Sequence, residues 1–587
     1  ITGGVVGGKA AGDASGNTVT VKANTGAVTG GDGATTNNNT VNLEGGVNVN
    51  GAVKGGTQVN GTGNTLNVKG QNSAESVEGF QKMNFNTNGV AAGGTMLNVT
   101  GAAQTKVNWN TLSASGVAIQ KVTLLKKTAG HIYLENYSGS AKSEITGGNT
   151  ESNIDVVKDS SNYITDITYQ GYQFKDVKTA TSDGGNLYGG ISKAGNSTRE
   201  NTITVNSGSH TNVYGGWTSG TGTSAADKGN SHDNTVTVKG TATVSGTVYG
   251  GLTESADGKA TGNTVTVEKN LDADLVGGKA AAEASGNTVN VTNATVKSVT
   301  GGDGATTNNN TVNLNGAAVN GAVKGGTQAN GTGNTLNVKG QNSAQSVTGF
   351  QKMKFHADTA SSGQAMLNLT TGATTLDKNV IDADGSTMNG RITLLRNDNG
   401  INITGYTNGV LKATIDGNTE KNIDVEKNAA GNKIIKVTYE GAQFADVQNA
   451  VEKDLGSGKK NAYGGISRAN NATRNNKITL NGTYENVYGG YTSGTSTTAE
   501  GEKNNSHDNT VTIAGGTVTG TVYGGYTEAA DGKTYNNTVN LNGGNLSNAE
   551  ISGGNRTIGT EKGNTLNVNT AATVKKIDNF QTVAFKD

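Results

Sequence analysis

One short phrase recurs along almost the whole chain: Asn-Thr-Val-Thr-Val, or a close variant, followed about ten to fifteen residues later by Val-x-Gly-Gly. It reads Asn17-Thr18-Val19-Thr20-Val21, Asn39-Thr40-Val41-Asn42-Leu43 and Asn64-Thr65-Leu66-Asn67-Val68, at spacings of 22 and 25 residues, with Gly-Gly turns at Val28-Thr29-Gly30-Gly31 and Val53-Lys54-Gly55-Gly56. The phrase resumes at Asn201, Asn234, Asn263, Asn287, Asn310 and Asn334, and again at Asn476, Asn509, Asn537 and Asn564; only Asn476 lacks the following Thr, having Lys477 instead. A period of about 20 to 33 residues holding two short strands and Gly/Asn turns predicts a solenoid whose rungs stack by parallel strand pairing. The expected fold is therefore all-β: a single elongated parallel β-helix, right-handed. Alternate residues of a strand face opposite sides, so Val19 and Val21 belong inside and Thr18 and Thr20 in water. Asn17 then falls inward or at a corner. There, successive Asn side chains can form an amide ladder that satisfies their buried polar groups.

Composition supports order over disorder. Only 32% of the residues are hydrophobic, but they are periodic, and 46 basic against 46 acidic residues leave no net charge, whereas disordered chains combine low hydrophobicity with high net charge. At 587 residues the chain outgrows one ordinary core. A solenoid, which grows in one dimension, escapes that limit. The 91 glycines suit tight corners, and the absence of proline suits strands whose N–H groups all pair with a neighbouring rung. Without cysteine there is no disulfide framework, thiolate metal site or thiol nucleophile. Balanced charge offers no field for nucleic acid. No apolar run approaches the ~18 residues of a membrane span, so this segment is not expected to insert into a membrane. It opens on Ile1-Thr2-Gly3-Gly4, already inside a repeat, and reads as a segment of something longer.

A larger repeat overlies the small one. Val5-Val6-Gly7-Gly8-Lys9 returns as Leu275-Val276-Gly277-Gly278-Lys279, and Gly79-Phe80-Gln81-Lys82-Met83 as Gly349-Phe350-Gln351-Lys352-Met353, both offset by 270; Tyr188-Gly189-Gly190-Ile191-Ser192 returns as Tyr463-Gly464-Gly465-Ile466-Ser467, offset by 275. A third copy begins and stops at Asn579-Phe580-Gln581-Thr582-Val583-Ala584-Phe585. The expected organisation is a β-helix array over 1–87, less regular β-rich rungs over 88–186, an array over 187–357, less regular rungs again over 358–461, and an array with the truncated third copy over 462–587. Met96-Leu97-Asn98-Val99 and Val122-Thr123-Leu124-Leu125 in the first irregular module match Met366-Leu367-Asn368-Leu369 and Ile392-Thr393-Leu394-Leu395 in the second. These modules are expected to continue the helix as broader or less regular rungs. Counting about 21 rungs at ~4.8 Å each predicts a rod roughly 100 Å long.

Tandem Val-Tyr-Gly-Gly and Gly-Asn-Thr-Val-Thr-Val rungs, with Asn-Phe-Gln-Thr-Val-Ala-Phe as a segment boundary, resemble the passenger region of bacterial autotransporter (type V secreted) adhesins over nearly the whole chain. The resemblance implies an extracellular, cell-surface adhesive or structural stalk. Such passengers cross the outer membrane unfolded, which agrees with the lack of Cys and Pro. The signal segment and membrane barrel of that family are not part of this sequence.

The candidate binding residues are aromatic. The position before Gly-Gly holds Thr29, Lys54, Tyr188, Tyr214, Tyr249, Val276, Thr300, Lys324, Tyr463, Tyr488 and Tyr523. Mixed polarity of this kind marks an outward position. Tyrosines thus cluster on three adjacent rungs per unit, joined just past the glycines by Trp217, Tyr491 and Tyr526. Exposed aromatic rows stack on sugars or anchor protein contacts; the competing reading is a tyrosine ladder that only stabilises its face. The partner would be a glycan or protein on a host or bacterial surface, a second copy included. The outward Thr-x-Thr rows resemble ice-binding arrays, but rung length varies and Asn often replaces the second Thr, so lattice matching would be poor. His232 and His507, in matching Ser-His-Asp-Asn phrases, read as polar turns, because adjacent strand residues cannot converge as a triad. Asp32, Asp303 and Asp382-Ala383-Asp384-Gly385 only hint at calcium turns; they lack the iterated nonapeptide, so neither metal nor cofactor is expected. The rival class is a polysaccharide-degrading β-helix enzyme, a lyase or hydrolase. Its site would need several converging charged groups, and here charges are sparse in the arrays, so no catalytic residue is assigned.

Overall fold

The computed structural model describes residues 2–586 apart from 117–120, 179, 221–227, 362, 386–389, 408–409, 456–457, 470, 495–502 and 557–562. About 55% of the chain is strand and 1% helix, forming a parallel β-solenoid of about 21 turns. Among the described residues the helical content is two short 3-10 turns, Trp109–Thr111 and Ala357–Thr359. No helix among the described residues is long and apolar enough to cross a membrane. Two compact units are present: residues 1–289 with 301–310, and residues 290–300 with 311–587.

In the first unit the strands Thr18–Val21, Thr40–Leu43 and Thr65–Lys69 pair in parallel register, Val19 on Val41 on Leu66. Val41 and Leu66 are fully buried while Thr20 is exposed, the alternation that a pleated strand imposes. The phrases at Asn17, Asn39, Asn234 and Asn476 are entered through a residue of left-handed conformation, Gly16 (φ 72°), Asn38 (54°), Asp233 (55°) and Asn475 (58°). Gly, Asn and Asp tolerate that region best. The corner delivers the following Asn into the interior. Asn39, Asn64, Asn201, Asn234, Asn263 and Asn287 are fully buried in the first unit, as are Asn334, Asn476, Asn509, Asn537 and Asn564 in the second.

These side chains form the expected ladder with a fixed polarity. The Oδ1 of Asn263 accepts from both the backbone N (3.1 Å) and the Nδ2 (3.0 Å) of Asn234, and Asn287 Oδ1 accepts the same pair from Asn263 at 3.0 and 3.1 Å. Several of the Nδ2 groups also tie a corner to a carbonyl, Asn263 to Ser231 O at 2.9 Å and Asn509 to Thr473 O at 3.1 Å. One acceptor and two donors at a single buried point are what a carboxamide supplies and a carboxylate does not. The Phe-Gln phrase closes the ladder. Gln81, Gln351 and Gln581 each lie 17 residues past the last Asn, and their longer side chains accept from the N–H of Asn64, Asn334 and Asn564 at 2.9, 3.0 and 2.6 Å.

The Gly-Gly pairs belong to the same device. A Cβ on Gly250 would lie 2.4 Å from Gly277 O and 2.9 Å from Asn263 Cβ, and one on Gly251 would lie 2.6 Å from Asn263 Nδ2. The strand crosses directly over the ladder, where no side chain fits.

The irregular modules depart from expectation. Their first strands do continue the stack, Thr95–Val99 pairing in parallel with Asn72–Glu78 on one side and Val122–Lys127 on the other. Ile164–Gln173 then runs antiparallel to Val122–Lys127, followed by antiparallel Thr150–Lys158 and Lys142–Thr146. The second unit repeats this ribbon with Ile434–Gln443, Thr419–Lys427 and Lys412–Asp416. A buried glutamate fastens each ribbon to the next rung. Glu151 accepts from Ser192 Oγ (3.0 Å), Ala194 N (3.1 Å), Asn196 Nδ2 (2.9 Å) and Lys193 N; Glu420 accepts from Ser467 Oγ (3.2 Å), Ala469 N (3.1 Å), Asn471 Nδ2 (2.9 Å) and Arg468 N.

Candidate functional site

The strands Asn186–Ser192, Val213–Thr218 and Thr247–Thr253 place their Val-Tyr-Gly-Gly phrases in register, Tyr188 on Tyr214 on Tyr249. Val213 and Val248 point inward and are fully buried, so alternation turns the tyrosines to the opposite side. Parallel strands lie ~4.8 Å apart, and the rings accordingly stack with centroids 5.0 and 5.2 Å apart and planes within 8°. Trp217 leans on Tyr188 at 5.9 Å. In the second unit Tyr463, Tyr488 and Tyr523 stack at 5.0 and 5.4 Å, and a second column pairs Tyr491 with Tyr526 at 5.2 Å. The two columns meet edge to face, Tyr488 with Tyr491 at 5.1 Å and Tyr523 with Tyr526 at 5.0 Å.

Two of the nine residues are not outward in the sense expected. Tyr188 is 8% exposed and Tyr463 7%, because the module preceding each array folds over the head of its column. Tyr172 packs with Tyr188 and Ile191, and Thr181 pairs antiparallel with Tyr188. In the second unit Ala442 and Val451 pack on Tyr463, with the Lys453 ammonium 5.5 Å from the ring centre. Tyr214, Trp217, Tyr249, Tyr488, Tyr491, Tyr523 and Tyr526 are half-buried. Between the rungs of a column the facing sides of adjacent rings cover one another, and the end rings Tyr249 and Tyr523 are followed on the next rung by Val276 and Ser552. What the stacked rings chiefly leave for a partner is their edges and hydroxyls.

Burial, then the neighbouring tyrosines and Glu254, push the Tyr214 hydroxyl up to about 12. Tyr488 and Tyr491 are raised further, again chiefly by burial, and Tyr491 donates its O–H to Glu528.

The Ser-His-Asp-Asn phrases are not turns. Ser231–His232 and Ser506–His507 are two-residue strands of a third face, followed by left-handed Asp233 (φ 55°) and Asp508 (φ 56°). Ser231 Oγ is fully committed inside, donating to Gly216 O (3.0 Å) and accepting from Thr198 Oγ1 (3.0 Å), while His232 Nδ1 faces Asp233 Oδ2 at 2.7 Å. His507 stacks on Tyr535 at 4.7 Å. The aspartates of the Gly-Gly-Asp-Gly phrases face lysines, Asp32 with Lys9 at 2.9 Å and Asp303 with Lys279 at 3.1 Å. Asp382 and Asp384 likewise face Lys412 and Lys354, at 3.3 and 2.9 Å. Among the described residues no group of three or more metal-ligating side chains converges.

Sequence reasoning missed the buried glutamates. Their signal was present: Gly148-Asn149-Thr150-Glu151 and Gly417-Asn418-Thr419-Glu420 are the rung phrase with Glu where the inward Val belongs. Comparison of the chain with protein-family models, with curated proteins and with solved structures finds no match.

Proposed function

We propose that this chain is a surface-exposed adhesive or structural stalk of a bacterium, carried as the passenger segment of an autotransporter-like protein and working outside the cell. The observation that carries this reading is the duplication of one self-sufficient rung chemistry. Asn ladder, Gly-Gly crossing and glutamate fastening recur in both units, and each unit presents its own aromatic columns. A repeated binding strip favours multivalent attachment, in which the second contact forms at high effective concentration. The half-buried columns favour a partner that meets ring edges and hydroxyls, as an apolar protein patch does. Ser231 and Ser506 donate to the carbonyls of Gly216 and Gly490, so the hydroxyls of the Ser-His-Asp-Asn phrases serve the rung lattice.

The test has two parts. Antibodies to the chain should label intact cells of the source bacterium, and beads coated with the chain should adhere to host or sister cells. Replacing Tyr214, Trp217, Tyr249, Tyr488, Tyr491, Tyr523 and Tyr526 by Ser should reduce bead adhesion while the strand spectrum survives. Absence of surface labelling would sink the stalk reading. Full adhesion by the folded variant would leave the columns as stabilising ladders only. Release of fragments from bacterial or plant polysaccharides would favour the enzyme instead.

A further inference from the structure

A cleft of about 570 Å³ opens on the first unit, on a different part of the surface from the aromatic columns. Pockets for small ligands span ~300–1,000 Å³. Its floor is apolar and close to the backbone, formed by Val77, Gly79 and Phe80, with Val77 and Phe80 buried. One wall carries Lys54 and Glu78, paired at 3.2 Å. The other wall is the parallel pair Thr105–Asn108 and Ile132–Glu135, which with the residue just before it contributes Gln104, Lys106, Asn108 and Glu135. Gln104, Lys106 and Glu135 are exposed, and among the described residues their side chains make no hydrogen bond or ion pair.

The duplicated unit supplies an internal control. It keeps the frame, with Lys324 for Lys54 and Gly349-Phe350-Gln351 for Gly79-Phe80-Gln81. Register carries the comparison to the other wall: Thr105 pairs with Ile132 as Thr374 pairs with Ile401. The second unit therefore has Ala373, Thr375, Asp377 and Thr404 where the first has Gln104, Lys106, Asn108 and Glu135, and Thr348 in place of Glu78. The same rungs form with or without this rim, so the rim is not required for folding.

We infer that the rim of the first unit is a binding site for a short neutral oligosaccharide. Two lysines and two glutamates cancel in the far field, which selects neither a polyanion nor a polycation. Each sugar hydroxyl is both donor and acceptor and matches a rim that mixes ammonium, carboxylate and carboxamide groups. The exposed Val59 side chain, which also lines the cleft, offers an apolar surface to the C–H face of a pyranose ring.

Isothermal titration calorimetry on the purified full chain tests this independently of the cell-surface reading. The probes are maltohexaose, cellohexaose and chitohexaose, with oligogalacturonate and an uncharged Gly/Ser/Asn peptide as the competing chemistries. At least one neutral hexasaccharide should bind at one site per chain. The variant Gln104→Ala/Lys106→Thr/Glu135→Thr, which installs residues already tolerated by the same frame, should weaken it at least about tenfold through lost polar contacts. The reciprocal variant Thr348→Glu/Ala373→Gln/Thr375→Lys/Thr404→Glu should raise the stoichiometry to two. The aromatic-column variant should bind the sugar unchanged, so failure of adhesion and failure of this site leave different traces. Binding of the peptide or the polyanion alone, no binding by any neutral probe, or unchanged affinity in the first variant overturns the proposal.

Discussion

Substituting Asn263 by Ala removes one rung of the inner ladder and nothing on the surface. The side chain makes four contacts: it accepts from Asn234 N and Asn234 Nδ2 at 3.1 and 3.0 Å, and donates to Ser231 O and Asn287 Oδ1 at 2.9 and 3.1 Å. Not all four partners are orphaned. Asn234 Nδ2 keeps Thr198 O at 3.0 Å, and Asn287 Oδ1 keeps the backbone N–H of residue 263 at 3.0 Å. The Asn234 N–H loses its acceptor at a residue with no solvent exposure, and Ser231 O loses a donor. A buried polar group left unpaired costs about 1–3 kcal/mol, so the rung should lose about 2–5 kcal/mol. Asn263→Asp should cost more, because the second carboxylate oxygen would face Ser231 O and Asn287 Oδ1, both acceptors. Thr264→Ala, on the outward side of the same rung, should stay within about 0.5 kcal/mol. Linear arrays need not unfold in one step, so the sharper assay is hydrogen exchange. The amide of Thr264, bonded to Asn234 O at 2.8 Å, should lose about a hundredfold in protection in Asn263→Ala, taking ~1.4 kcal/mol per decade. Protection equal to wild type in Asn263→Ala, or an Asp variant as stable as wild type at neutral pH, would refute the ladder as a stabilising element.

Gly250→Ala should destabilise by ~3 kcal/mol, since its Cβ meets a backbone oxygen at 2.4 Å and an interior that cannot retreat; a urea midpoint unchanged from wild type would contradict the close-crossing argument. Glu420→Ala should leave the N–H groups of Arg468 and Ala469 without their carboxylate, raising their exchange rates while amides of the Asn ladder stay protected. For Tyr214 the folded value of about 12 lies above the ordinary tyrosine value of 10.0. The neutral ring is thus favoured by folding: this contribution is complete below pH 10 and is lost as pH rises from about 10 towards 12, so stability should fall over that window, and phenolate absorbance assigned by a Tyr214→Phe difference spectrum should rise near pH 12. A Tyr214 transition at pH 10 would contradict its burial in the column.

How much was legible follows from how local each determinant is. The inward valines, the buried Asn and the parallel register were readable because each rung repeats the instruction: the left-handed corner before Asn39 is Asn38, and before Asn234 it is Asp233. The antiparallel ribbons were not readable. Ile164–Gln173 and Val122–Lys127 are ordinary β-rich runs, and nothing in their composition says which way one runs against the other. The third face escaped notice because Ser231–His232 is only two residues long and has no hydrophobic alternation. Tyr188 and Tyr214 occupy the same place in the same phrase, yet one is buried and the other half-buried. The difference comes from Tyr172 and the strand Thr181–Asp183 folding over the column head.

By itself, then, the sequence determined the rung: which residues turn, which enter the interior and which must be glycine, since those choices rest on backbone conformation and side-chain size within about 30 residues. Tertiary structure decided what the rungs do to one another. Stacking the tyrosines spends their faces and leaves edges, the glutamates of the ribbons find their donors more than 40 residues away, and the cleft exists only where the pair Thr105–Asn108 and Ile132–Glu135 stands beside Lys54 and Glu78. Contacts between side chains on separate rungs depend on register and on what covers an edge, and neither is encoded in the phrase that each rung repeats.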